Sequence, residues 1–183
     1  MTIVARCSCC GDILNGRHDR RRFMQMAGSA GLAAAFPFMA FAQGNYGSYE
    51  AMLLSCIDPR MQEPVRAYME KQGLIGKYSQ FTIAGAAIGV VAPKFKTWHQ
   101  AFWDNLGATV QLHKIKKIIV VDHRDCGACR IAYGDASTAT PEVETQTHRK
   151  VLAQFRQQAA KHRPKLAVET GLMSLDGKVE TLS

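Results

Sequence analysis

The sequence lacks the features of fibrous, disordered and nucleic-acid-binding proteins. No internal repeat recurs along its 183 residues, and 47% of them are hydrophobic, so we expect one globular domain with an ordinary core. The net charge is +8, but the basic residues are scattered and no base-stacking aromatic motif accompanies them. We therefore expect a soluble protein without a nucleic-acid partner.

The sequence also lacks an apolar run long enough to cross a bilayer in its N-terminal region. The stretch at residues 27–42 has about 16 residues, whereas a spanning helix needs roughly 20. Three arginines at 20–22 precede this stretch, and the small-large-small sequence at 40–42 ends it just before Gln43. This order resembles a twin-arginine export signal that signal peptidase removes.

The resemblance implies that residues 1–42 are a signal peptide and that residues 43–183 form the mature domain. The twin-arginine translocase would be a partner during export, and the mature protein would be periplasmic or otherwise exported. A buried helix or an uncleaved membrane anchor is the alternative, which the shortness of the stretch and Pro37 disfavour.

The chain has too few cysteines in its mature part for a simple disulfide framework. Half of the six cysteines lie in the leader, namely Cys7, Cys9 and Cys10. We assign these three no catalytic role, because a tetrahedral metal site would need a fourth ligand and the leader is expected to be removed. The mature part keeps Cys56, Cys126 and Cys129, and an odd number argues against paired disulfides in an oxidising compartment.

From about residue 50 onward, short apolar runs alternate with helical patterns. The runs predict strands at 51–57, 80–83 and 117–121, and the helical patterns predict helices at 63–72, 97–114 and 142–162. Residues 84–89 are typical of a glycine- and alanine-rich loop, and Asp176-Gly177 indicates a two-residue hairpin turn. This order predicts an α/β fold with a mostly parallel sheet flanked by helices and a C-terminal edge hairpin.

Residues with metal-binding chemistry follow two of the predicted strands. Cys56, Asp58 and Arg60 follow the first strand at alternate positions, so their side chains can point to one side. His123 and Cys126 follow the 117–121 strand with a two-residue gap, a common ligand spacing. Two thiolates and one imidazole suit Zn²⁺ and leave a fourth position open, which is typical of catalytic zinc. Taken one at a time, such a cysteine or histidine is more often a core or structural residue, but their occurrence together at the ends of neighbouring strands favours a metal site.

The two motifs together, Cys-x-Asp-x-Arg and then a distant His-x-x-Cys-Gly, resemble those of the β-class carbonic anhydrases. The resemblance runs from about residue 51 to the end of the chain. It implies that Cys56, His123 and Cys126 bind zinc and that a zinc-bound hydroxide converts CO2 reversibly to bicarbonate. It implies that Asp58 and Arg60 form the catalytic dyad, with Asp58 able to swing onto zinc in an inactive state. It also implies a substrate contact at Gly127 and a homodimer or higher homo-oligomer.

Several positions depart from the pattern of this family. Pro59 stands where the family commonly has serine, Asp122 where it has glycine, and residues 84–87 where it often has an Arg-Asn pair. The leader also takes the place of an N-terminal helical arm. Two alternatives follow: a non-catalytic zinc-binding protein of the same fold, or a zinc hydrolase of COS or CS2. Asp122 either orients a metal ligand or faces solvent.

The remaining histidines and aromatic residues give weaker signals. Cys129 completes a Cys-x-x-Cys pair with Cys126, so a redox role is a further alternative. We expect four histidines at the surface, namely His99, His113, His148 and His162. We expect three aromatic residues to serve as core or dimer contacts rather than as a substrate cage, namely Trp98, Phe102 and Trp103.

Overall fold

The computed structural model describes residues 47–182, and a five-stranded β-sheet lies at the centre of this part. The strands are β1 (Ala51–Ser55), β2 (Tyr78–Thr82), β3 (Lys117–His123), β4 (Ala167–Met173) and β5 (Val179–Thr181). They lie side by side in the order β2-β1-β3-β4-β5. The first four run parallel to one another, and β5 runs antiparallel to β4. The predicted α/β class, with a mostly parallel sheet and an edge hairpin, is confirmed.

Five α-helices in the described part connect and cover the strands: α1 (Gln62–Lys71), α2 (Ala87–Val91), α3 (Lys96–His113), α4 (Gly127–Tyr133) and α5 (Pro141–His162). Short 3₁₀ helices occupy Pro59–Met61, Pro93–Phe95 and Asp135–Thr138. The start of α5 shows why the sequence folds locally this way. The Thr140 side chain accepts a hydrogen bond from the Val143 amide, and Pro141, which has no amide hydrogen, occupies the first helical position.

The core has a layer on each face of the sheet. All of β1 and nearly all of β3 are buried, as expected for central parallel strands with helices on both faces. One face packs against α1, where Leu53 and Ile119 meet Met69. The other face packs against α2, α3 and α5. This packing holds β1 and β3 between helices on both faces, and both strands carry candidate site residues at their carboxyl ends.

Two predicted segments differ from the structure. Residues 84–86 do form a turn, but residues 87–89, predicted as loop, belong to α2, because these small apolar residues pack as a short, fully buried helix. The hairpin loop is one residue longer than predicted. The Ser174 amide donates to the Lys178 carbonyl at 2.8 Å, which leaves residues 175–177 as a three-residue loop with Gly177 at φ +84°.

The strand boundaries also shift in the C-terminal half. β3 continues two residues past the predicted end at 121, because β4 pairs with it as far as His123. The first part of β4 was not predicted as a strand, since its sequence at 167–170 alternates apolar and polar residues only weakly.

The predicted signal peptide at 1–42, with its three cysteines, lies outside the described residues, so this assignment stays a prediction. Within residues 47–182, no helix combines the length and the apolar composition that crossing a membrane requires.

Candidate metal centre

The carboxyl ends of β1 and β3 bring the two sequence motifs together. The strands are parallel neighbours, with Ser55 opposite Val121, so both chains leave the sheet at the same edge. Cys56 is the first residue after β1, and His123 is the last residue of β3. The chain then turns at 124–126 and enters α4 directly after Cys126. The topology therefore places three residues with metal-binding side chains at one point.

The side chains of Cys56, His123 and Cys126 converge in the structure. Their potential ligand atoms, two sulfurs and one ring nitrogen, all lie within 4.8 Å of one another. The three residues are buried, with exposed fractions of 4%, 1% and 1%. They form the sole group of this kind found among residues 47–182. Two sulfurs and one nitrogen at this separation match the ligand chemistry of zinc.

The orientation of His123 supports a fit to a metal ion. Its Nδ1 atom lies 2.8 Å from the Arg124 carbonyl oxygen, so Nδ1 carries the hydrogen and donates it. The Nε2 atom is buried and has no hydrogen-bond partner in the described part of the chain. A buried lone pair without a partner is costly, and a metal ion at Nε2 would satisfy it. Donation from the opposite ring nitrogen is the usual way in which proteins orient a histidine ligand.

The Cys56 and Cys126 sulfurs contact each other, and this contact shifts their pKa values in opposite directions. The Cys126 thiol donates a hydrogen bond to the Cys56 sulfur, and this contact is the main reason that the pKa of Cys56 falls to about 4. The backbone amides of Asp58 and Gly85 also donate to that sulfur. The same contact, together with burial, raises the pKa of Cys126. A divalent cation would allow both sulfurs to be thiolates, because its charge would replace the shared proton.

Beside this group, Arg60 holds Asp58 in one orientation. The Nε atom of Arg60 lies 3.0 Å from Oδ1 and its NH2 atom 2.7 Å from Oδ2 of Asp58, a two-pronged contact. The Arg60 amide also donates to Oδ1 at 2.9 Å, because the chain turns into a 3₁₀ helix at Pro59. The hydrogen bonds from Arg60 lower the pKa of Asp58 to about 2. Asp58 is therefore ionised at neutral pH.

The sequence did not indicate that Asp125 would be a second anchor of Arg60. The NH1 atom of Arg60 donates to the Asp125 carboxylate at 2.7 Å, and NH2 donates to its carbonyl at 3.1 Å. Arg130 pairs with the same carboxylate. Asp125 has a positive φ of 56°, and its amide donates to Glu144 at 2.6 Å. The only available signal was an acidic residue between the candidate ligands His123 and Cys126.

The turn before α2 contacts the same centre. The Gly85 amide lies 3.2 Å from the Cys56 sulfur. Gly85 has φ +78°, and a Cβ atom at this position would lie 2.9 Å from the Cβ of Ala128. Glycine is therefore required here for both backbone conformation and space.

Comparisons with known proteins agree with this geometry. A family model described as "Putative carbonic anhydrase" matches residues 48–181. An uncharacterized protein of Rickettsia conorii is 34% identical over 131 residues, which cover 72% of this chain and 70% of that protein. An uncharacterized protein of Rickettsia bellii is 33% identical over 131 residues, covering 72% and 80%. The chain belongs to this carbonic anhydrase family.

Solved structures of β-carbonic anhydrases share the fold. The enzyme CafA of Aspergillus fumigatus has a TM-score of 0.51 at 15% identity, covering 75% of this chain and 76% of that one. The Coccomyxa enzyme, solved in complex with acetazolamide, has a TM-score of 0.50 at 18% identity, covering 88% and 82%. The resemblance to the β-class carbonic anhydrases, in family and in fold, is thereby confirmed.

Two positions that depart from the carbonic anhydrase pattern, Asp122 and the segment 84–87, are joined by a hydrogen bond. The Asp122 carboxylate accepts from the Ala87 amide at 2.9 Å, so the unusual residue before His123 binds the unusual turn. Asp122 is 1% exposed, which excludes the alternative that it faces solvent. Within the described residues, its side chain makes hydrogen bonds to Ala87 and His148, and neither residue is a candidate metal ligand.

The prediction that His148 lies at the surface was wrong. Its side chain is fully buried and pairs with Asp122. The polar composition of α5 gave no indication that His148 is buried, although the buried residues of that helix do recur at helical spacing: Glu144, His148, Val151, Leu152, Phe155 and Ala159.

Phe102 and Trp103 are buried in the core as expected, whereas Trp98 is partly exposed. Cys129 is a free, buried cysteine.

Gly127 begins α4 directly after Cys126, and a Cβ atom there would meet nothing within 4 Å. The predicted substrate contact at Gly127 stays a prediction.

Proposed function

We propose that the protein is a zinc-dependent carbonic anhydrase that interconverts CO2 and bicarbonate. The observation that carries this proposal is the convergence of Cys56, His123 and Cys126, with an unpartnered His123 Nε2, beside the ionised Asp58. Membership of the carbonic anhydrase family supports it. The carbonic-anhydrase-like fold and the Cys-His-Cys group do not depend on turnover.

Cys56, His123 and Cys126 would hold the zinc ion, and their number leaves one coordination position for solvent. A zinc ion bound there would lower the pKa of a coordinated water to about 7. Asp58 would accept a hydrogen bond from the attacking water, because its carboxylate is ionised and cannot donate. Its role would be to orient that water toward CO2. Arg60 holds Asp58 in the required orientation through its two-pronged contact.

One observation favours a second candidate, a zinc-binding protein of this fold without turnover. The side chains at 84–87 are methyl groups or hydrogen only, so the turn offers no side-chain donor to a substrate. Any contact from this segment to bicarbonate would come from the backbone. Hydrolysis of COS or CS2 stays a further prediction on the same centre.

Stopped-flow CO2 hydration by the zinc-loaded mature protein, from pH 7 to 9, separates these candidates. The proposal expects turnover above the buffer rate that rises with pH. A protein that binds one zinc per chain but gives no turnover above buffer would be the binding protein instead.

A pair of cysteine variants tests the ligand set. Cys126→Ser removes a proposed ligand, so zinc at one per chain is expected to be lost on dialysis. Cys129→Ser, three residues along, removes a buried cysteine that is outside the set and is expected to keep the zinc. Equal zinc loss in both variants would contradict the assignment and favour a site or redox pair that uses both cysteines.

We also propose export through the twin-arginine pathway and assembly as a homodimer. An Arg20→Lys/Arg21→Lys variant should remain in the cytoplasm, and its appearance in the periplasm would contradict the export route.

The proposed homodimer is supported by two exposed apolar side chains close in sequence to the candidate ligands. Ile57 and Ile131 are 57% and 63% exposed, which supports an apolar contact with a second copy. Light scattering of the mature protein gives the oligomeric state, and a monomer at micromolar concentration would contradict the dimer.

A further inference from the structure

A buried charged pair adjoins the metal centre without belonging to the proposed ligand set. The Nδ1 atom of His148 lies 2.8 Å from Oδ2 of Asp122, and both side chains have zero exposure. Burial lowers the pKa of His148, but the hydrogen bonds and charges of Asp122 and Cys129 outweigh burial and raise it to about 10. An ion pair at this depth has a large desolvation cost and is weak evidence for stability by itself. The structural role of the Asp122–His148 pair is therefore inferred from the groups that it contacts.

The second oxygen of Asp122 reaches the turn before α2. Oδ1 accepts from the amide of Ala87, the first residue of α2, at 2.9 Å. The preceding residue, Ala86, has φ +47° and ψ −111° and is fully buried. This backbone conformation is unfavourable for a residue with a Cβ atom, so it persists where the surroundings hold it on both sides. Asp122 holds the turn from one side.

The other side of the turn contacts a candidate ligand. The Gly85 amide donates to the Cys56 sulfur at 3.2 Å, and a Cβ atom at Gly85 would lie 2.9 Å from the Cβ of Ala128 in α4. Three hydrogen bonds therefore join α5 to the metal centre: His148 to Asp122, Ala87 to Asp122, and Gly85 to Cys56.

We propose that Asp122 and His148 are positioning residues of the metal site. They hold the turn at 84–86 so that the Gly85 amide already faces the Cys56 sulfur before a metal ion binds. The proposal rests on the zinc-binding part of the proposed function and is independent of CO2 turnover. Polar groups that act on metal ligands from outside the ligand set commonly change metal affinity 10- to 100-fold.

Zinc competition with a chromophoric chelator tests the proposal on the wild type, Asp122→Asn, His148→Gln and the double variant. Each single variant should bind zinc about 10- to 100-fold more weakly. The double variant should be no weaker than the weaker single variant, because the two residues act as one unit. The thiolate-to-cobalt absorption of the Co²⁺-loaded protein should change in the same variants. An affinity within twofold of wild type and an unchanged cobalt spectrum would overturn the proposal.

Arg156→Met is the matched control, because Arg156 lies on the same helix and makes a comparable polar contact away from the turn. Its NH1 atom donates to Thr170 Oγ1 at 2.7 Å and to the Leu182 carbonyl at 2.8 Å. This variant should lower the melting temperature and leave the zinc affinity within twofold. A loss of zinc affinity equal to that of Asp122→Asn would show that general destabilisation explains both, which would overturn the proposal.

Hydrogen exchange on the metal-free wild type tests the proposal even if the variants fail to fold. The Gly85 and Ala87 amides should be protected before zinc is added. Exchange as fast as in an unstructured peptide, with protection only after zinc binding, would overturn the claim that the turn is preformed. A wild type that binds no zinc would contradict the proposed function, whereas unchanged affinity in the variants would contradict this inference alone.

Discussion

The pairs Asp58–Arg60 and Asp122–His148 each join a carboxylate to a cation near the same edge of the sheet, but in different surroundings. The Asp58 and Arg60 side chains are 16% and 45% exposed, whereas those of Asp122 and His148 are not exposed at all. Ion pairs that water can reach contribute little to stability, usually below about 1 kcal/mol. Breaking a buried pair leaves a charge without a partner in a medium of low polarity. We infer that the exposed pair is placed for the proposed reaction, whereas the buried pair holds the turn beside Cys56.

The largest expected effect is on folding, from the variant His148→Leu. It leaves the Asp122 carboxylate buried without its cation, so the free energy of unfolding should fall by about 3–5 kcal/mol. Urea denaturation measures this fall. Replacing both partners, as Asp122→Leu/His148→Leu, should recover part of the loss, because no buried charge then remains. A loss below about 1 kcal/mol in the single variant would remove the contrast between the two pairs.

The second largest effect is expected on the rate of CO2 hydration, in the variant Asp58→Asn. An amide can donate to the water and orient it wrongly, so the CO2 hydration rate should fall by about 100-fold or more. Zinc content should stay at one per chain, and the free energy of unfolding should change by less than about 1 kcal/mol. Asp104→Asn is the control, since this residue is exposed and bonds only to Gln100 in the described part of the chain. A rate within twofold of wild type would exclude Asp58 from the mechanism.

A third prediction concerns pH. The pKa of His148 is raised from 6.5 to about 10 in the folded protein. Its contribution to stability is therefore fully present below about pH 6.5 and is lost as the pH rises toward 10, by at most about 1.4 kcal/mol per pH unit. The free energy of unfolding of the wild type should decline over this range relative to that of His148→Gln. Parallel curves for the two proteins would contradict a buried imidazolium.

The smallest effect is expected from Asp125→Asn. The Asp125 side chain is 42% exposed, so its pairing with Arg60 is screened by water. The variant loosens Arg60 while the contact between Arg60 and Asp58 remains. The hydration rate should fall by roughly two- to fivefold, and stability should change by less than about 1 kcal/mol. A fall as large as that of Asp58→Asn would place Asp125 in the proton-handling machinery itself.

The sequence predicted those features that depend on local pattern. The buried apolar runs gave β1 and β3, and the parallel order of strands and helices placed Cys56 and His123 at one edge. The features that it missed depend on packing between distant segments. His148 lies in a helix rich in charged and amide residues, and its burial is decided by Asp122, which is 26 residues away.

The turn at 84–86 and the first residue of α2 show the same limit. This segment contacts Cys56 and Asp122 through the backbone amides of Gly85 and Ala87. Every residue except proline has such an amide, so no pattern of side chains in the sequence could predict these contacts. Asp125 was missed because its role depends on Arg60, which lies 65 residues earlier in the chain.

X-ray absorption at the zinc edge, combined with elemental analysis of the metal-loaded mature protein, tests the central claim most directly. Cys56, His123 and Cys126 predict one zinc per chain with two sulfur ligands at about 2.3 Å, one nitrogen at about 2.0–2.1 Å and one further light atom from solvent. Absence of stoichiometric zinc, or a spectrum with three or four sulfur ligands, would contradict a site that keeps a position open for water.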